Sequence, residues 1–169
     1  MRRISKAFFE LLETYEYDQI NIRLLASTAG VTRKTFYRNF SSKDDILDYI
    51  IYDRIYYTWE YQKATTFEET VMSFFTYWLD KKNDLKLFEK RHIFYLLSDK
   101  LEKYFEMNPV IASYISNQSD IMTFGAYFWN GLLAALMEVL QIWASRDFKE
   151  SPRQLTDIVL GYFRAFRQV

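Results

Sequence analysis

The sequence predicts an all-α protein, and three observations carry that expectation. Only four Gly and two Pro interrupt the 169 residues. Apolar residues recur at spacings of three and four along most of the chain, and no alternating apolar–polar run of strand type extends far. Half of the residues are hydrophobic and a fifth aromatic, enough to fill a core and too apolar for disorder.

The elements follow in order. A first helix over about 2–15 carries Ile4, Ala7, Phe8, Leu11 and Leu12 on one face. A second, over 21–28, buries Ile22, Leu25, Ala26 and the following Ala29. Gly30 then reverses the chain, since glycine takes a positive φ without steric cost. Thr32 caps a third helix over 32–40 by accepting from a free backbone N–H. Phe36 and Phe40, four apart, turn that helix onto the first two. Lys34 and Arg38 lie opposite, flanked by Thr35 and Tyr37, with Arg33 at the leading end. Two short helices, a glycine turn and a basic, aromatic second helix read as a helix-turn-helix, the arrangement that lays one helix in the major groove of DNA.

A fourth helix starts at Ser42 and runs without a breaker to about Gln62. Thr66 with Glu69 forms a capping box that opens a helix to about Asp80. The polar stretch 81–84 reads as a loop, and a helix or kinked pair fills 85–105. Asn108 followed by Pro109 starts another helix, and 116–120 reads as a turn. A long apolar helix over about 120–145 and a last one over 152–168, opened by Ser151, Pro152 and Gln154, complete the chain. This divides the chain into a head at 1–48 and a helical C-terminal domain at 49–169, joined through the fourth helix.

Formal net charge is zero, but its distribution is uneven. Residues 1–43 hold eight Lys or Arg against four acids, so this part is +4 and the remainder −4. Cations concentrated at one end suit phosphate, whatever the total.

Other chemistries find little support. Cys is absent, which excludes disulfides, thiolate metal sites and Cys nucleophiles. His92 is the only His and has no companions for a zinc site, so its expected role is structural. No P-loop, dinucleotide fingerprint or nucleophile elbow occurs. The adjacent acid pairs Asp44–Asp45 and Glu68–Glu69 diverge on their helices and share no site. The chain is expected not to be an enzyme and to need no cofactor. Ile121 to Met137 is free of charge, yet it contains Thr123, Asn130 and two Gly and falls short of the roughly 20 apolar residues of a membrane span. A helix buried on several sides, against its own domain and a second subunit, fits better. Glu10 and Glu13 break any signal-peptide core, so a cytoplasmic location is expected, with no membrane partner.

From Ala29 through the Gly30 turn, the Thr32 cap, the Phe36–Phe40 pair and the SerSerLysAspAspIleLeu start of the fourth helix, the chain closely resembles TetR-family transcriptional regulators. The resemblance covers roughly the first 50 residues. It implies that Arg33, Lys34, Thr35, Tyr37 and Arg38 contact double-stranded DNA, with Thr32 at the leading end, and that Lys43 meets a phosphate. Asn21 and Arg23 are candidate backbone clamps at the start of the second helix. It further implies a homodimer on a near-palindromic operator, a helical effector-binding and dimerisation domain, and a small-molecule effector that releases DNA, as in a repressor. An activator or co-activator of the same fold, and a helical protein–protein adaptor with weak DNA binding, are the competing readings. The aromatics of the C-terminal domain, among them Tyr52, Tyr56, Trp59, Phe74, Tyr77, Trp78, Phe94 and Tyr95, are equally a plain core and a ligand pocket.

Overall fold

A computed structural model describes residues 1–51, 64–98, 100–101, 108–116 and 121–166. The described chain is all-helical. Helix α1 spans Arg2–Thr14, α2 Ile22–Thr28, α3 Arg33–Asn39 and α4 Asp44–Ile51. Between α1 and α2 lies a single 3₁₀ turn, Tyr17–Gln19. Helix α5 spans Phe67–Asp80, α6 Lys82–Lys90, α7 Pro109–Ser116, α8 Ile121–Ser145 and α9 Pro152–Phe166.

The N-terminal helices wrap one small core. Phe8 and Leu12 of α1, Leu25 of α2, Phe36 of α3, and Ile46 and Leu47 of α4 are each fully buried. Helix α1 packs on α2 and α4, and α2 on α3. Helix α2 ends in a Schellman motif: Gly30 takes φ +64°, its N–H donates to the Ser27 carbonyl at 3.1 Å, and the Val31 N–H donates to the Ala26 carbonyl at 2.9 Å. The turn into α4 is tied by one carboxylate. Asp45 accepts from the Ser41 N–H and the Ser42 hydroxyl, each at 2.6 Å, while its own N–H donates to Ser42 Oγ at 3.2 Å. These bonds, the Ser42 hydroxyl first, hold the Asp45 carboxyl below the usual carboxylate range. The connector expected beyond α4, with Tyr52, Tyr56 and Trp59, lies outside the described residues.

In the C-terminal part α5 packs along α9, and α8 covers α6 and α7. Phe75 of α5 meets Trp143 of α8 edge to face at 5.9 Å, and the Trp143 indole N–H donates to the Glu150 carbonyl at 2.9 Å, closing the turn into α9. Thr66 and Glu69 form their capping box, Asn108 caps α7, and Ser151 pairs with Gln154 before α9. Phe74, Tyr77, Trp78 and Phe94 are buried, whereas Tyr95 is exposed.

One expected loop is absent. Residues 81–84 do not separate two helices by a polar link, because Lys81 alone ends α5 and precedes α6, its carbonyl accepting from the Asp84 and Leu85 N–H groups at 2.9 and 3.2 Å. Leu85 and Phe88 are buried, so the polar residues ahead of them are the exposed first turn of an amphipathic helix. Helix α6 then ends in a second Schellman motif, with His92 at φ 54° where glycine is usual; the His92 and Ile93 N–H groups donate to the Glu89 and Phe88 carbonyls at 3.0 Å. The sole histidine is therefore an exposed turn residue that breaks the 85–105 segment.

The head docks on this second part through α1. Phe9 meets Phe88 edge to face at 6.1 Å. Arg91, whose side chain is only 10% exposed, donates to the Leu12 carbonyl at 2.6 Å and the Glu13 carbonyl at 2.7 Å, and pairs with Glu16. Lys100 pairs with Asp48 of α4 at 2.7 Å.

Phe36→Ala is expected to cost about 3–5 kcal/mol, because the ring is fully buried; chemical denaturation of the full chain measures it, and an unchanged midpoint would place that face outward. Asp45→Ala should lower stability near neutral pH. The folded carboxyl titrates below its ordinary value of 3.8, so its contribution is present above about pH 4 and is lost as the pH falls through the lowered folded value. The gap between the two unfolding curves should accordingly be constant from pH 8 to about 5 and narrow in stronger acid.

Candidate nucleic-acid interface

The exposed side of α3 is set by what its buried side must do. Phe36 faces the core and Phe40, the residue closing the helix, packs against it at 5.7 Å. With α3 pinned by those rings, Lys34 and Arg38 emerge on the opposite side, Tyr37 flanks them, and Arg33 stands at the leading end, close to the core side by helical angle; all four are exposed. Tyr37 is 57% exposed, and its ring stands edge-on to Phe36 at 5.7 Å, which orients the phenol without burying it. Thr32 is the N-cap: its hydroxyl oxygen accepts from the Thr35 N–H at 3.1 Å and lies 3.0 Å from the Thr35 hydroxyl. Thr35 is half-buried and works chiefly within the helix start. Asn39 donates to the Thr35 carbonyl at 2.7 Å, which keeps its amide inside the helix.

Asn21 and Arg23 occupy the start of α2, both exposed. Asn21 is the N-cap, its side-chain oxygen accepting from the Leu24 N–H at 3.0 Å, a role its position before Ile22 allowed but the reading as a backbone clamp overlooked. Its amide N–H groups remain outward-capable donors. Lys43 is half-buried and already held: its ammonium donates to the Tyr17 carbonyl at 2.8 Å and sits 3.9 Å from the centre of the Tyr17 ring. Tyr17 itself was not singled out from sequence. It lies in a three-residue turn with no periodic pattern, and only the fold brings it to Lys43, 26 positions away.

The electrostatic contrast between the two ends of the chain is sharp. Arg2, Arg3, Arg23, Arg33, Lys34 and Arg38 have no hydrogen-bond or ion-pair partner among the described residues. In the C-terminal part the cations are largely spent: Lys81 on Asp80, Lys86 on Asp147, Arg91 on Glu16, Lys100 on Asp48, Arg146 on Glu150, and Arg153 on Glu68 and Asp157. Two of those pairs neutralise acids of the head, Glu16 and Asp48, and so leave its free cations less opposed. Among the described residues, no group of three or more His, Cys, Asp or Glu could hold a metal ion, and no helix is long and apolar enough to cross a membrane.

A short helix ending on a left-handed glycine, followed by a second helix with unpaired cations and an exposed phenol, is a DNA-reading geometry. Comparison with known proteins agrees. Residues 4–50 match the family described as "Bacterial regulatory proteins, tetR family", a span that takes in α1, α2, α3 and nearly all of α4. The chain is also similar in fold to the solved structure of "Dihydroxyacetone kinase operon activator DhaS", with a TM-score of 0.58 and 18% sequence identity, over 97% of this chain and 93% of that one. No curated protein sequence matches. The N-terminal head is thus a helix-turn-helix domain of the kind that the tetR family of bacterial regulatory proteins carries.

Proposed function

We propose that the protein is a homodimeric transcriptional repressor that binds a near-palindromic operator and is released by a small molecule. The observation that carries the DNA-facing half of this reading is the unpartnered Lys34 and Arg38 on the outer side of α3, with Arg33 exposed at its leading end. Most of the described cations of the C-terminal part are paired, whereas these are charge held for a polyanion. Lys34 and Arg38 would donate to guanine O6 and N7, Thr35 would offer its methyl to thymine, and Tyr37 would grip a phosphate. Arg33 reaches from the leading end; Asn21, Arg23, Thr32 and Lys43 line the backbone side.

Leu132, Leu133, Leu136, Leu140 and Trp143 of α8 are buried within the chain, and the side chains of Phe124 and Phe128 lie outside those described. What remains outward on the last two helices is Tyr127, 80% exposed, with Ile142, Ile158 and Tyr162. The last three line a shallow groove of about 300 Å³ between α8 and α9, floored by Trp143 and Leu155. Gly131 and Gly161, with open space beside them, would let a second copy approach. Apolar residues gathered along paired helices suit a two-fold contact.

The division into a head at 1–48 and an effector domain at 49–169 belongs to the same reading. The Trp78 indole N–H is buried without an acceptor among the described residues, and such a donor gains from any ligand that supplies one. An activator is the second reading, favoured by the similarity in fold to an operon activator; transcription assays with and without the protein on the selected operator separate the two. Selection and sequencing of bound genomic fragments tests the core of the proposal: a palindrome supports it, and weak binding indifferent to sequence would favour an adaptor.

Lys34→Ala and Arg38→Ala should each cost about 1–3 kcal/mol of operator affinity and relax the base preference at one position per half-site, without shifting thermal unfolding. Lys43→Ala should weaken all sequences alike and lower the salt slope by about one unit. Unchanged affinity in all three at physiological salt would overturn this DNA face. Ile142→Glu combined with Ile158→Glu should convert the dimer to a folded monomer by light scattering and abolish tight binding to a two-half-site operator; a persistent dimer would move the interface elsewhere.

A further inference from the structure

Lys43 and Asp44 are neighbours of opposite charge at the entrance to α4, and each is held by a different part of one residue. An ammonium beside a carboxylate can pair with it, and pairing cancels charge that it would otherwise offer a phosphate. Among the described residues these two form no ion pair with each other. Tyr17 occupies both. Its side chain is buried, and its hydroxyl donates a hydrogen bond to Asp44 Oδ1. Its backbone carbonyl accepts from Lys43 Nζ at 2.8 Å, and its ring lies under the same ammonium at 3.9 Å. Burial, reinforced by the Asp44 carboxylate, raises the phenol pKa well above its ordinary value, so the hydroxyl stays a donor at any working pH.

The two ends of Tyr17 act differently on charge. A carbonyl and an aromatic face are neutral acceptors: they fix an ammonium in place without cancelling it. Only part of the ammonium's three-donor capacity is used. The hydroxyl meanwhile engages the carboxylate that would otherwise compete for it.

We propose that Tyr17 is a positioning residue for DNA binding, holding Lys43 in a fixed place with its charge uncancelled by keeping Asp44 engaged. The proposal rests on the reading that Lys43 meets a phosphate. It predicts that loss of the hydroxyl alone, with the ring and carbonyl retained, lets Asp44 turn to Lys43 and removes one effective phosphate contact.

The test is the salt dependence of operator binding by the full chain carrying Tyr17→Phe, Asp44→Asn, both together, or Lys43→Ala. Lys43→Ala should lower the slope of log K against log salt by about 0.9, a loss of about fivefold in affinity at 0.15 M salt. Tyr17→Phe should approach that slope and that loss. In the Asp44→Asn background no carboxylate is left to pair with Lys43, so Tyr17→Phe should change neither slope nor affinity by more than about twofold. Rescue of this kind is not expected of a residue that merely fills the core, and it can be read even if Tyr17→Phe lowers thermal stability, provided affinities are corrected for the folded fraction by circular dichroism. An unchanged slope in Tyr17→Phe, or a double variant as weak as Tyr17→Phe alone, overturns the proposal. An unchanged slope in Lys43→Ala overturns the phosphate reading beneath it, and that failure is recognisable because it is independent of Tyr17.

Discussion

A seven-residue helix has no independent stability in water, and α3 is one. It exists because Phe36 is wholly buried in the core and α3 packs on α2, with Phe40 beside Phe36 and Thr32 capping the helix's open end. The same burial decides which way the other side chains point. Rotating α3 by one residue would sink Tyr37 or Thr35 in place of Phe36 and carry Lys34 and Arg38 off the outer face. The reading surface is thus the residue of a packing solution: the core chooses the face, and the face then carries the charges.

Charge is arranged with a comparable economy. Of the head's eight Lys and Arg, Lys6 pairs with Glu10 and Lys43 is held by the Tyr17 carbonyl, and the other six have no partner among the described residues, while Arg91 and Lys100 reach from the C-terminal part to occupy Glu16 and Asp48. Each such contact both fastens the two parts together and removes an opposing charge from the DNA-facing end. Neutrality overall is compatible with a polyanion ligand because the balance is spatial. Long-range attraction is set by the head, and the body carries the compensating acids.

Much of the fold was legible because it is written locally. The caps at Thr32, Thr66, Asn108 and Ser151, the Gly30 turn and the Phe36–Phe40 pair each depend on residues within four positions of one another, and each recurs in the structure as the sequence suggests. Contacts closed across the chain were not legible. Tyr17 to Lys43, Arg91 to α1 and Lys100 to Asp48 join residues 26 to 79 positions apart, and no spacing rule announces them. One local misreading has a physical origin as well. Polar residues at 81–84 resemble a loop although they are the wet side of a helix start.

The Arg91 guanidinium supplies hydrogen bonds to the last carbonyls of α1, at Leu12 and Glu13, groups that a helix cannot satisfy internally. The first helix of the DNA-reading head is therefore finished by a residue that follows it by more than 75 positions. A head transplanted onto an unrelated body would keep its sequence and its capping boxes yet lose this terminus, and α1 would fray from the end that supports Tyr17. Chimeric regulators built by exchanging heads should accordingly be joined with the arginine-bearing turn matched to its helix, treating that turn as part of the module being moved.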